Sequence, residues 1–144
     1  MEKTDTEKLL QECDAGTKMA VTSIDEVMDK VTSSNMKSLL EETKDHHSKL
    51  GNEIHSLLNS HDTDEKDPSP IAKSMSWMKT NMNMYMDKSD ETVADLLTDG
   101  CNMGVKSLNR YLNQYKAADK KSKELCTRLI SIEEQFCKEL SQYL

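Results

Sequence analysis

Apolar side chains along the first part of the chain recur at alternating steps of three and four residues, the spacing of one helix face. The first helix is predicted over about 4–32. It opens with Thr4 and Glu7, which are spaced as in a capping box. β-Branched and hydroxyl residues at 31–35 end it, because such residues favour turns and caps over helix interiors. Its seam comprises Leu10, Cys13, Thr17, Ala20, Ile24, Val27 and Val31.

The same spacing continues in a second helix, predicted over about 35–61. His47 lies within its apolar seam, so we expect this ring to be part of the core. The turn before the helix is short, which makes the first two helices antiparallel neighbours. The segment 61–70 is charged and contains both prolines, so it is predicted to be a loop. The seam comprises Met36, Leu40, Thr43, His47, Leu50, Ile54, Leu57 and His61.

A helical pattern then extends from 70 to 115, which is too long for one helix of this bundle. About 45 residues at ~1.5 Å each would span about 67 Å, against about 40 Å for each of the first two helices. Ser89, Asp90 and Glu91 combine a capping residue with two acids suited to a helix N-terminus, so we place the break there. This division predicts a crossover helix over about 70–87 and a third bundle helix over about 90–115.

The last helix is predicted over about 119–143. Its seam comprises Cys126, Ile130, Glu133, Cys137, Leu140 and Leu144. Two antiparallel pairs joined by one long connection define an all-α, ferritin-like up-down four-helix bundle, whose crossover contains an additional helix. At 144 residues, the chain is long enough to form one such domain, over 1–144, without disulfides or a structural metal.

Composition narrows the range of partners and compartments. A net charge of −7 without clustered Lys and Arg argues against a nucleic-acid partner, because nucleic-acid affinity depends on such clusters. No apolar run approaches the ~18–20 residues of a membrane span, and the N-terminus lacks the features of a signal peptide. We therefore expect a cytoplasmic protein with no membrane partner. The four cysteines lie within helical patterns and are expected to be thiols.

Distinctive residues occur in five segments of the chain. They are Met-Ser-Trp-Met-Lys-Thr around Trp77, Met-Asp-Lys-Ser-Asp at 86–90, Asp-Gly-Cys-Asn-Met-Gly at 99–104, Tyr-Leu-Asn-Gln-Tyr at 111–115 and Ile-Glu-Glu-Gln-Phe-Cys-Lys-Glu-Leu at 132–140. Together they resemble a family of bacterial, mostly clostridial, ferritin-like proteins of unknown function. The resemblance covers nearly the whole chain and implies the fold, but no activity. Ferritin-like metal proteins supply Glu from two helices and Glu-x-x-His from the other two, and this sequence has no Glu-x-x-His.

Counting residues from the shared ends of the helices places His47, Cys101 and Glu133 in one layer of the bundle, which we call the His47 layer. Cys137 lies one turn from Glu133. Imidazole, thiolate and carboxylate suit zinc or iron, so these four residues are the candidate ligands of a metal site. Alternatively, His47 and Glu133 form a buried structural pair, and the cysteines pack as small apolar side chains. Rotation of a helix would bring in the acids Asp14, Asp99 and Glu134.

Two further features lie outside this layer or at its edge. Gly100 and Gly104 are four residues apart beside Cys101, which indicates either close helix packing or a pocket. Methionines crowd the predicted crossover helix together with Trp77. They suit core packing, a Cu(I) site or an exposed surface for a homo-oligomer or protein partner.

The sequence therefore favours a non-enzymatic structural or interaction module with a degenerate metal site. The alternative is a metal-binding or redox protein with a mononuclear iron or zinc site in the bundle core. A di-iron ferroxidase is disfavoured, because the carboxylate and Glu-x-x-His ligand set is missing from the sequence. No Ser elbow, Gly-rich phosphate loop or Cys/His/Asn signature supports nucleophilic catalysis.

Overall fold

The computed structural model describes residues 2–61 and 89–144. Within these ranges the chain forms four α-helices and no strand, which confirms the all-α bundle. None of these helices is long and apolar enough to cross a membrane. The crossover helix predicted over 70–87, with its methionines and Trp77, lies outside the described residues. The helices are α1 (Asp5–Val27), α2 (Ser34–Ser60), α3 (Asp90–Gln114) and α4 (Lys120–Leu140), with 3-10 turns at Met28–Lys30 and Ser141–Tyr143.

Each α-helix begins after a polar residue whose side chain accepts a backbone N–H of the first turn. Such a cap satisfies one of the N–H groups that have no partner inside the helix. The capping residues are Thr4, Ser33, Ser89 and Asp119. The predicted starts at Thr4, Ser89 and Asp119 are therefore confirmed. The first helix ends earlier than predicted, because its last residues tighten into the 3-10 turn at Met28–Lys30.

Hydrogen bonds between the ends of the helices fix their directions. At one end, the carboxylate of Asp90 accepts the backbone N–H groups of Thr32 at 2.8 Å and Ser33 at 3.0 Å. At the other end, Asp5 accepts the N–H of Ala117 at 3.0 Å. The starts of α2 and α3 thus lie at the same end of the bundle, and the start of α1 lies beside the turn between α3 and α4. It follows that α2 and α3 run parallel to each other, and both run antiparallel to α1 and α4.

The apolar core consists of two clusters, one towards each end of the bundle. The cluster near the α1–α2 turn comprises Ile24, Val27, Val31, Met36, Leu39, Leu40, Val93, Ala94, Leu96, Leu97, Cys101, Phe136 and Leu140. The cluster near the α3–α4 turn comprises Leu9, Leu10, Cys13, Leu50, Ile54, Leu58, Leu108, Ala118, Leu125, Cys126, Leu129 and Ile130. Buried polar residues on α1, α2 and α4 lie between the two clusters in sequence, among them Thr17, Thr43, His47 and Glu133. The His47 layer therefore lies between two apolar cores.

Two ends of the predicted seams are wrong. Leu57 is half-buried and packs against the core, whereas Leu58 is fully buried, because a step of four from Ile54 keeps its side chain on the core face. His61 follows the last residue of α2 and is exposed, so it does not belong to the seam. Leu144 is 57% exposed. It follows the 3-10 turn that ends α4, so it no longer continues the helical seam.

Candidate functional site

His47 is the fully buried histidine of α2, and its partner is Glu133 of α4, which is 8% exposed. Nε2 of His47 is hydrogen-bonded to Oε1 of Glu133. Nδ1 lies 2.8 Å from the carbonyl oxygen of Thr43. A carbonyl oxygen can only accept, so Nδ1 carries a proton and donates it to Thr43. Both ring nitrogens are therefore bonded within the protein.

The surroundings of His47 stabilise its charged form. Burial by itself lowers the pKa of the imidazole, because it penalises a charged ring in the core. The hydrogen bond that His47 donates to Glu133, the negative charge of Glu133 and the carbonyl of Thr43 act in the opposite direction, and together they raise the pKa of His47 above its usual value. His47 therefore stays protonated, and paired with the carboxylate, to a higher pH than a histidine in water.

Of the predicted ligands, the structure brings Cys101 to the His47 layer and places Cys137 at its edge. Cys101 is buried on α3, beside Glu133. Burial, followed by the charge of Glu133, raises the pKa of this thiol far above its usual range. Cys137 is half-buried, and its Sγ donates to Oδ1 of Asn102 at 3.5 Å. Cys101 is therefore a protonated donor, whereas a metal needs the thiolate.

The remaining acids considered for this layer do not complete a metal site. Asp99 and Glu134 are exposed. Asp14 is buried on α1, where it forms an ion pair with Lys18 at 2.9 Å. Within residues 2–61 and 89–144, no group of three or more His, Cys, Asp and Glu side chains is arranged to hold a metal ion. The other two cysteines, Cys13 and Cys126, are buried in the cluster near the α3–α4 turn, away from Glu133.

A mostly apolar groove of about 250 Å³ lies between α1 and α3 and ends on α4. Gly100 and Gly104 both line it, which supports the pocket interpretation of this glycine pair. A Cβ atom at Gly104 would lie 3.6 Å from Oε2 of Glu133, so the glycine leaves this carboxylate oxygen room at the groove. Leu129 and Phe136 form the apolar floor on either side of Glu133.

A second, more polar groove of about 410 Å³ lies between α1 and α2. It is lined by His47 and by Asp14, Lys18 and His55. His47 therefore lines the polar groove, and Glu133 lines the apolar one. The two members of the hydrogen-bonded pair thus line different grooves.

Sequence reasoning missed the α1 side of the apolar groove. Gly16 and Ala20 line this side, four residues apart, and face the glycine pair of α3. Both segments carry a pair of small residues four positions apart, which places each pair on one face of its helix. Such pairs predict a groove only when the two helices are known to be neighbours. Glu12 and Tyr111 line the outer end of the groove. Burial and the nearby charge of Glu12 raise the pKa of the Tyr111 hydroxyl.

Compared with known proteins, the chain matches no family model, and no curated protein is similar to it in sequence. The features from which a function can be inferred are therefore the bundle, the His47–Glu133 pair and the two grooves.

Proposed function

We propose that this chain is a cytoplasmic, ferritin-like bundle that acts as a non-enzymatic interaction module, with the His47–Glu133 pair in place of a core metal. The parallel course of α2 and α3 supports the ferritin-like connectivity, because the chain leaves α2 at one end of the bundle and must return along its length to begin α3 at the other end. Membership of the clostridial ferritin-like family and the crossover helix over about 70–87 belong to the same proposal.

One observation carries this proposal. Both nitrogens of the His47 ring are bonded to protein groups, Nδ1 to Thr43 and Nε2 to Glu133. A metal-binding histidine keeps one nitrogen for the metal and uses only the other for a supporting hydrogen bond. Here Nε2 is bonded to the carboxylate of Glu133 instead. The buried pair satisfies itself, and it leaves the apolar groove beside Glu133 available for a partner.

The groove supports binding rather than catalysis. Its one thiol beside a carboxylate, Cys101, is protonated and buried, so it is a poor nucleophile. A partner surface was also predicted on the methionine-rich segment 70–87, which lies outside the described residues. The groove between α1 and α3 is the binding surface that the described residues support.

A metal-binding or redox protein is the second candidate. The convergence of His47, Glu133 and Cys101 favours it, because imidazole, carboxylate and thiolate are ligands of zinc and iron, with Cys137 one turn away. A metal would have to displace the proton shared by His47 and Glu133 and the proton of Cys101. It would hold these side chains in place and supply Lewis-acid or redox chemistry at the groove.

Elemental analysis of untagged protein purified anaerobically separates the two candidates. The interaction module predicts metal-free protein that remains equally folded after anaerobic challenge with iron or zinc. Stoichiometric metal that is lost in both His47→Ala and Glu133→Ala would establish the metal site instead. His46→Ala is the matched control, because His46 is the neighbouring histidine and is exposed.

A further inference from the structure

The groove between α1 and α3 has the size of a site for a small molecule. Its volume of about 250 Å³ exceeds the ~150 Å³ in which an apolar protein cavity holds benzene. The difference leaves room for a side chain of two or three atoms on such a ring. Leu97, Leu129 and Phe136 supply apolar surface, and Gly100 and Gly104 keep the space open.

The charges at the groove determine which polar group a ligand can carry. The charged side chains that line it, among the residues described, are Glu12 and Glu133, and both are acidic. Glu133 is 8% exposed. Its Oε1 is bonded to His47, and its Oε2 lies beside Gly104. The His47 imidazolium balances the charge of Glu133 through Oε1, so ligand selection depends on Oε2. An ammonium group can donate a charge-assisted hydrogen bond to this oxygen, whereas a second carboxylate can only accept.

We propose that this groove binds a small primary amine with an apolar body, whose ammonium group donates a hydrogen bond to Oε2 of Glu133. The inference rests on the proposed function, since a metal held by Glu133 would occupy the same carboxylate. Met19 and Met103 also line the groove. Met103 is 50% exposed, and the flexible thioether side chains can adapt to an apolar ring.

The ligand class is tested with three compounds of nearly the same shape: 2-phenylethylamine, 2-phenylethanol and 3-phenylpropionate. Calorimetric titration of the full chain, shown to be metal-free by elemental analysis, measures the three affinities. The amine should bind about tenfold or more tightly than the alcohol, as expected for a hydrogen bond to a charged group, and the carboxylate should bind weakest. No binding of the amine, or equal binding of amine and carboxylate, overturns the proposal.

Three variants locate the amine in the groove. Glu133→Gln keeps the shape of the side chain and removes its charge, so affinity for the amine should fall about tenfold or more while affinity for the alcohol changes less. Glu134→Gln removes an exposed acid at the next position and should change neither affinity. Equal losses in these two variants would indicate general charge attraction and overturn the proposal. Gly104→Leu fills the groove and keeps both acids, and it should abolish binding of the amine and the alcohol.

Circular dichroism establishes that each variant is folded before its affinity is interpreted. The inference and the function on which it rests fail in different ways. Metal-free protein that binds none of the three compounds overturns the amine site and leaves the interaction module intact. Stoichiometric metal that depends on Glu133 overturns both.

Discussion

A buried imidazole is tolerated in the core of this bundle because both of its nitrogens have partners. Thr43 accepts from Nδ1, and Glu133 is bonded to Nε2. Each member of the His47–Glu133 pair therefore needs the other, since an unpaired charge in the core would be strongly destabilising. Removing one member and removing both are expected to have very different effects.

Replacing His47 or Glu133 alone by Leu is expected to lower the free energy of unfolding by about 3–5 kcal/mol, because a buried polar partner is left unpaired. The double variant, His47→Leu with Glu133→Leu, should lose much less than the sum, since two apolar side chains can fill the space. Urea unfolding of the four proteins measures this coupling. The same cycle on the exposed residues His46 and Glu134 should give a coupling near zero. Additive losses at His47 and Glu133 would contradict the pair.

The raised pKa of His47 predicts how the pair responds to pH. A folded-state pKa above the ordinary value of 6.5 stabilises the protein fully below that pH, and this stabilisation is lost as pH rises through the folded-state pKa. The difference in unfolding free energy between the protein and His47→Gln should therefore shrink from about pH 6 upwards, by at most about 1.4 kcal/mol per pH unit. Chemical unfolding at several pH values measures it. A difference that grows with pH would contradict the assignment, and His46→Gln should show no such trend.

At the scale of the helices, glycines control how closely neighbours approach. A Cβ atom at Gly51 of α2 would lie 3.0 Å from Oγ1 of Thr17 on α1. That hydroxyl is buried and donates to the carbonyl of Asp14 at 2.8 Å, so its position is fixed. At Gly104 of α3, the nearest atom would be Oε2 of Glu133 at 3.6 Å, which is ordinary van der Waals contact. The first glycine is required by close packing, and the second opens the groove.

The two glycines should therefore respond differently to alanine. Gly104→Ala is expected to raise the free energy of unfolding by up to about 1 kcal/mol, because alanine is the better helix former and its Cβ has room. Gly51→Ala should give no such gain or a loss, since the Cβ displaces Thr17 and offsets the same helix propensity. Urea unfolding of both variants under one set of conditions compares them. Equal stabilisation by both substitutions would show that α1 and α2 do not pack as closely as described.

At the scale of the whole molecule, the directions of the helices could be predicted from the sequence. The groove was predicted only as one of two interpretations of the glycine pair of α3, and its α1 side was not predicted. The capping residues Thr4, Ser89 and Asp119 mark the helix starts by local chemistry alone. Counting residues back from the turns placed His47 and Glu133 at the same height along the bundle. The direction of each side chain depends on helix rotation, however, and an error of one residue rotates it by about 100°.

The same limit explains why some candidate ligands have other partners in the structure. Asp14 is buried in its ion pair with Lys18, although it lies beside the predicted seam of α1. Cys137 turns towards Asn102 rather than towards His47. The groove arises where small residues of α1 and α3, eighty or more positions apart in sequence, face each other. Such a void is a property of two packed surfaces, and neither surface reveals it alone.

We propose that a carboxylate, rather than a metal, is the partner of His47 in the bundle core. Nitrogen-15 NMR of the full chain with labelled histidine tests this directly, because it reports the protonation of each ring nitrogen. Near pH 6 we expect protons on both Nδ1 and Nε2 of His47, and no change after one equivalent of zinc is added anaerobically. Loss of the Nε2 proton with a shift of its resonance on zinc addition, absent in Glu133→Ala, would contradict the account.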